Sequence, residues 1–196
     1  MRRPLAAAAA LLVVVVALAG CASDPLAEQY ASGSTKNYIS GDGSLTTIVP
    51  AEREDPVVFE GVTADGDKVS SDDYAGEVLV LNFWYAACPP CRVEAPDLEK
   101  LHLSLEGDGA SFLGVNVRDQ AGTALTFETE TGVTYPSVID ANDGNMLFAF
   151  AGTVAPNAVP TTLVIDKQGR VAARILGQVT SPSALDTIIR DTIAEK

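Results

Sequence analysis

Apolar residues from Val57 onward fall in short runs whose spacing switches between two and about 3.6, and that switching predicts the order of the elements. Residues 77–84 (EVLVLNFW) are an almost unbroken run of strand formers, the pattern of a central strand covered on both faces. Residues 90–106 set Val93, Leu98, Leu101 and Leu105 at helical intervals with charges between them, which predicts an amphipathic helix kinked at Pro96. A second strand follows at 111–117, a short helix at 121–130, a third strand at 137–139 and a further helix near 145–150. Residues 161–166 and 171–176 read as two strands joined by a turn containing Gly169, and a last helix opens at Ser181-Pro182. Ahead of the central strand, 56–60 and 67–69 flank Ala64-Asp65-Gly66 and predict a short hairpin.

A strand–helix–strand unit followed by a hairpin and a closing helix is an α/β pattern. It predicts a central mixed β-sheet flanked by helices, with an N-terminal β-hairpin extension. The chain of 196 residues suits one such domain, placed at 55–196, with a tail before it.

That tail has its own organisation. Met1-Arg2-Arg3 and the apolar residues 5–19 form the charged and hydrophobic parts of a secretory signal, with an apolar run shorter than the roughly twenty residues of a spanning helix. Leu18-Ala19-Gly20-Cys21 resembles the bacterial lipobox. That resemblance implies cleavage after residue 20 and lipidation of Cys21, anchoring the protein to the cell membrane on its extracytoplasmic face. Residues 21–54, rich in Ser, Gly, Thr and Asp, read as a flexible tether.

Charge removes one class of function. The formal charge is −13, and no stripe of Lys and Arg gathers to meet a phosphate backbone, so nucleic acid is set aside as a partner.

Cysteine usage supplies the chemistry. Of three Cys, lipidation of Cys21 leaves the pair Cys88 and Cys91, which closes too small a loop to stabilise a domain. The pair falls between a buried strand and a helix. Cys88 is thereby placed at a helix N-terminus, where unpaired N–H groups and the helix dipole favour a thiolate nucleophile. Cys91, one turn on and expected to be the more buried, is the thiol that resolves a mixed disulfide. Pro89 and Pro90 between them remove two amide donors and stiffen the loop. Half of a zinc site is the competing reading, but zinc wants four ligands and the single His, His102, lies on the same helix.

Asn82-Phe83-Trp84, Cys88-Pro89-Pro90-Cys91, Glu94 and Pro96, with Val159-Pro160-Thr161-Thr162, resemble the TlpA/ResA-type branch of the thioredoxin superfamily from about Val57 to the C-terminus. The resemblance implies a thioredoxin-like fold and a protein thiol-disulfide oxidoreductase that uses its Cys88–Cys91 disulfide and no other cofactor. It implies reduction of disulfides in exported proteins such as apocytochrome c, re-reduction by a membrane electron donor of the thiol-transporter type, and a monomer. Pro160 is then the cis-proline facing the Cys pair, with Val159, Thr161, Trp84, Pro89 and Pro90 around the bound substrate. Glu94 is the acid that accepts the Cys91 proton, which the Asn at position 82, where ordinary thioredoxins keep a buried Asp, makes the more pertinent.

Other functions stay in view. A disulfide-forming oxidase would use the same two sulfurs in the opposite direction. A peroxiredoxin-like peroxidase would want a Thr two residues before its Cys, where this chain has Ala86. Copper delivery would want a wider Cys spacing and a later His. A non-redox apocytochrome chaperone would need neither sulfur.

Overall fold

The computed structural model describes residues 44–153 and 158–195, all within one compact unit. Its strands are β1 (Ser44–Thr47), β2 (Glu60–Val62), β3 (Lys68–Ser70), β4 (Val78–Trp84), β5 (Ala110–Asn116), β6 (Ser137–Ile139), β7 (Thr161–Ile165) and β8 (Val171–Leu176). Its helices are α1 (Pro89–Leu105), α2 (Ala121–Thr131), α3 (Asn145–Ala149) and α4 (Pro182–Ala194). Six strands form one mixed sheet in the order β1-β8-β7-β4-β5-β6, and β2 pairs with β3 as a separate hairpin.

The unbroken apolar run does what such a run must: every residue of β4 is buried, between parallel β5 and antiparallel β7. Pleating then sorts the side chains onto opposite faces. Val78 and Val80 join the core under α1 and α4, with Leu98, Leu101, Leu105, Leu185 and Ile189. Leu79, Leu81 and Phe83 join the other core, with Phe59, Met146 and Phe150. By the same alternation Asn82 and Trp84 share the face of Val78 and Val80.

The α1 stripe that meets this face runs Cys91, Glu94, Ala95, Leu98, Leu101, Leu105, a helical period. Val93, expected on the apolar face, is instead 60% exposed, and Glu94 takes the inward place. Pro96 lies inside α1, exposed, without ending it.

Two boundaries differ from expectation. The first strand of the hairpin is Glu60–Val62, later than 56–60, because the register Gly61 opposite Val69 centres the turn on residues 63–67. Ser44–Thr47, inside the segment read as tether, is an edge strand paired with β8, and Arg53 follows it into a buried ion pair with Asp166 at 2.8 Å. The folded domain therefore begins at least eleven residues before position 55. The signal segment and Cys21 lie outside the described residues.

Candidate active site

At the end of β4 the chain leaves the sheet through Tyr85, Ala86 and Ala87 and turns into α1, with the Cys88 N–H donating to the Tyr85 carbonyl at 3.1 Å. Cys88 is the N-cap of α1, and its Sγ accepts the Cys91 N–H at 3.3 Å. Cys88 and Cys91 are joined as a disulfide with their Cα atoms 5.3 Å apart. Both are buried, at 0% and 2% exposure, so burial does not rank them; the expectation that Cys91 is the more hidden is not met. What distinguishes them is the helix terminus, where the Cys88 sulfur faces an amide donor and the positive end of the dipole.

One turn below, Glu94 is 1% exposed. Its Oε1 accepts from Asn82 Nδ2 at 2.8 Å and its Oε2 from the Val179 N–H at 2.8 Å. Asn82 Nδ2 also donates to Thr162 Oγ1 at 3.1 Å, across the pair of strands in which Asn82 stands opposite Thr162. Burial pushes the Glu94 carboxyl up to about 7, and the two hydrogen bonds only partly offset it. A carboxyl near neutrality, one helical turn from a redox thiol, can both accept and return a proton at working pH.

The Val159–Pro160 peptide is cis, as the resemblance implied. Thr161 stands opposite Phe83, so Pro160 continues the row toward Trp84 and the loop that carries the Cys pair. The Pro160 carbonyl accepts the Gly177 N–H at 2.8 Å, and Thr161 Oγ1 donates to the Ala158 carbonyl at 2.7 Å. Val159, Pro160 and Thr161 are all buried.

Trp84, expected at the rim, is turned inward by the pleat of β4. It is 3% exposed, stacks on Phe127 at 4.5 Å between ring centroids and donates from Nε1 to Ser137 Oγ at 3.2 Å. Surface around the pair comes instead from Ala87, Pro89, Arg92 and Val93, with Pro90 half-buried.

Several residues here escaped the sequence reading. Thr162 and the Val179 backbone complete the Glu94 network, while Asn116, Arg118 and Asp119 hold the loop before Cys88. Only the Asn-x-x-Asp pattern just after a strand, typical of a side-chain-capped turn, could have marked the last group. Among the described residues no three His, Cys, Asp or Glu side chains gather as ligands for a metal, and no helix is long and apolar enough to cross a membrane.

Comparison with known proteins places this geometry. A family model described as Redoxin matches residues 46–189. The thiol:disulfide interchange protein HelX of Rhodobacter capsulatus is 35% identical over 137 residues, 70% of this chain and 73% of that one. The thiol-disulfide oxidoreductase ResA of Geobacillus thermodenitrificans is 38% identical over 108 residues, 55% of this chain and 59% of its own. Among solved structures, a secreted thiol-disulfide isomerase of Corynebacterium glutamicum superposes with a TM-score of 0.70 at 34% identity, covering 81% of this chain and 97% of that one. A DsbF homologue of Corynebacterium diphtheriae superposes with a TM-score of 0.68 at 34% identity, covering 79% and 98%.

Proposed function

This chain belongs to the redoxin family, as a thiol-disulfide oxidoreductase of the ResA/HelX type with a thioredoxin-like fold, and from that premise we propose that it is a reductase of disulfides in exported proteins, tethered to the outer face of the cell membrane. The direction rests on kinship with the ResA proteins, and the observation that carries the redox chemistry is Glu94, a buried carboxyl held near neutrality one turn from Cys91. A reductase must repeatedly deprotonate its resolving thiol, and this group is placed to take that proton.

The reaction follows from the two sulfurs. In the reduced protein the Cys88 thiolate attacks a disulfide sulfur of the substrate, forming a mixed disulfide and releasing the first substrate thiolate. Glu94 takes the Cys91 proton, the Cys91 thiolate attacks Cys88 Sγ, and the second substrate thiolate leaves. The substrate gains two electrons and two protons, one from Cys91 by way of Glu94 and one from solvent, and the Cys88–Cys91 disulfide remains. A membrane electron donor of the thiol-transporter type returns the pair to the dithiol.

Substrate contact falls to the exposed surface of Pro89 and the half-buried Pro90, with Val159, cis-Pro160 and Thr161 walling the site from the sheet and Trp84 supporting it from within. An apocytochrome c disulfide is the substrate that kinship with the ResA and HelX proteins favours. The lipobox-like residues before Cys21 support a lipid anchor and an extracytoplasmic protein with residues 1–20 removed, and kinship favours a monomer.

The reduction potential of the Cys88–Cys91 pair, equilibrated against a dithiol buffer, tests the direction. A value at or below about −270 mV is expected; one near about −120 mV would make the protein a disulfide-forming oxidase.

A further inference from the structure

The loop that delivers Cys88 is gripped at one residue, Ala86, through the two peptide groups that flank it. The Ala86 N–H donates to Asp119 Oδ2 at 2.6 Å, and the Ala86 carbonyl accepts from Arg92 Nη1 at 3.2 Å. Asp119 is itself held in place. Asn116 Nδ2 donates to the same Oδ2 at 2.9 Å, while Asn116 Oδ1 accepts the N–H groups of Arg118 and Asp119 at 3.1 and 2.7 Å. Asn116 is fully buried at the end of β5, opposite Trp84 in the parallel ladder, and the Val117 N–H donates to the Trp84 carbonyl at 3.1 Å. Arg118 closes the arrangement with its guanidinium carbon 4.4 Å from the Tyr85 ring centroid. A continuous path thus runs from a core strand through one carboxylate oxygen to the loop.

The need for such a grip lies in the first turn of α1. Pro89 and Pro90 occupy its first two positions and carry no N–H, and the Arg92 N–H is taken by the Cys88 carbonyl at 3.1 Å. The Cys91 N–H is therefore the one first-turn donor left for the Cys88 sulfur, which it meets at 3.3 Å. A thiolate whose stabilisation rests on one amide is sensitive to a small rotation of the loop before it.

We infer that Asp119 is a positioning residue for the redox loop: by holding the Ala86 N–H it keeps Cys88 Sγ on the Cys91 N–H. The inference rests on the reading of Cys88 as the attacking sulfur. The charged groups on the loop and the elements packed against it are Asp119 and Arg118 from the segment after β5, Arg92 and Glu94 from α1, and Glu130 from α2 through its 3.8 Å contact with Arg92. Removing the Asp119 charge by itself favours the thiolate, so charge and position must be separated.

Asp119→Asn and Asp119→Ala separate them. Both remove the charge, but only Asn keeps an oxygen where Ala86 and Asn116 donate. The full chain is reduced, alkylated with iodoacetamide across a pH series, and modification at Cys88 is followed by peptide mass analysis. The Asn variant is expected to titrate with wild type or below it. The Ala variant is expected to titrate at higher pH, with Cys88 at pH 7 reacting about tenfold more slowly than in the Asn variant, at thermal midpoints within a few degrees of each other. Coincident Asn and Ala profiles, within twofold, overturn the inference while leaving Cys88 as nucleophile. If wild-type Cys88 titrates as an ordinary thiol near about 8.5, the reading of the nucleophile fails and takes the inference with it.

Discussion

Asn82 Nδ2 donates to Glu94 Oε1 at 2.8 Å, so the central strand and the first helix are joined by a polar contact buried beneath the redox pair. The carboxylate that could not come from position 82 is supplied from the facing helix and lands on the Asn that stands there. The arrangement places an ionisable group in the core under the sulfurs, where two hydrogen bonds offset the cost of burying its charge only in part.

That burial gives Glu94 a signature in stability. Its carboxyl titrates at about 7 in the folded protein against 4.5 for the free group, so between those values the unfolded chain loses a proton that the folded chain retains. Stability from this group is present below pH 4.5 and falls as pH rises toward 7, by about 3 kcal/mol in all. Denaturant melts of the oxidised protein at pH 5 and pH 8 should show this fall in wild type, and Glu94→Gln should remove it. The same variant is expected to slow disulfide reduction about a hundredfold near neutral pH.

Cys91→Ser should accumulate a mixed disulfide between Cys88 and its protein substrate, visible as a thiol-sensitive band on non-reducing gels. Cys88→Ser should trap none. A protein acting as a chaperone without redox chemistry would keep its activity in both variants and trap nothing in either.

Gly114 sits opposite Asn82, where a Cβ would collide with Ser137 Oγ and lie 2.8 Å from Trp84 Nε1. Gly114→Ala is therefore expected to destabilise the domain by about 1–3 kcal/mol and to break the Trp84–Ser137 hydrogen bond. Because the chain contains a single Trp, its fluorescence maximum reports the second effect directly. An unchanged spectrum and melting curve would refute this.

Arg53 is 3% exposed by its side chain and bridges Asp166 at 2.8 Å and Glu195 at 2.6 Å. Burial works against the Asp166 charge, but hydrogen bonds from Arg170 and Arg53 outweigh it and hold the carboxyl below its ordinary range. Arg53→Met should cost about 3 kcal/mol, since the buried carboxylate keeps only Arg170 as a cation. In wild type the stabilisation from Asp166 is present above the ordinary carboxyl range and is lost as pH falls below it, so the variant should also lose part of the stability change on acidification.

Elements whose side chains carry a period were legible in the sequence. The run at β4 matched a strand covered on both faces, and β6 and β8 fall on the bounds their β-branched residues suggested. β1 was not legible, because Ser44, Leu45, Thr46 and Thr47 are all exposed, which leaves no alternation of buried and exposed side chains to read. Within the site, Cys88, Cys91 and cis-Pro160 were readable from motif. The partners of Glu94 were not, since Val179 is 85 residues away and Thr162 meets Asn82 only through strand register. The burial of Glu94 was hidden by Val93, the apolar neighbour that seemed to own the inward position.

Ser44 stands opposite Leu176, Leu176 opposite Thr161, and Thr161 opposite Phe83, one row across the sheet at the end where β4 gives way to the redox loop. The chain therefore comes into the domain on the rim that bears Cys88 and Cys91, three strand spacings or about 14 Å from the central strand. Twenty-two residues lie between Cys21 and Ser44, and a polypeptide of that length cannot extend beyond about 80 Å. A lipid at Cys21 would then leash the catalytic rim rather than the far side of the domain, confining its encounters to a shell of that depth above the bilayer.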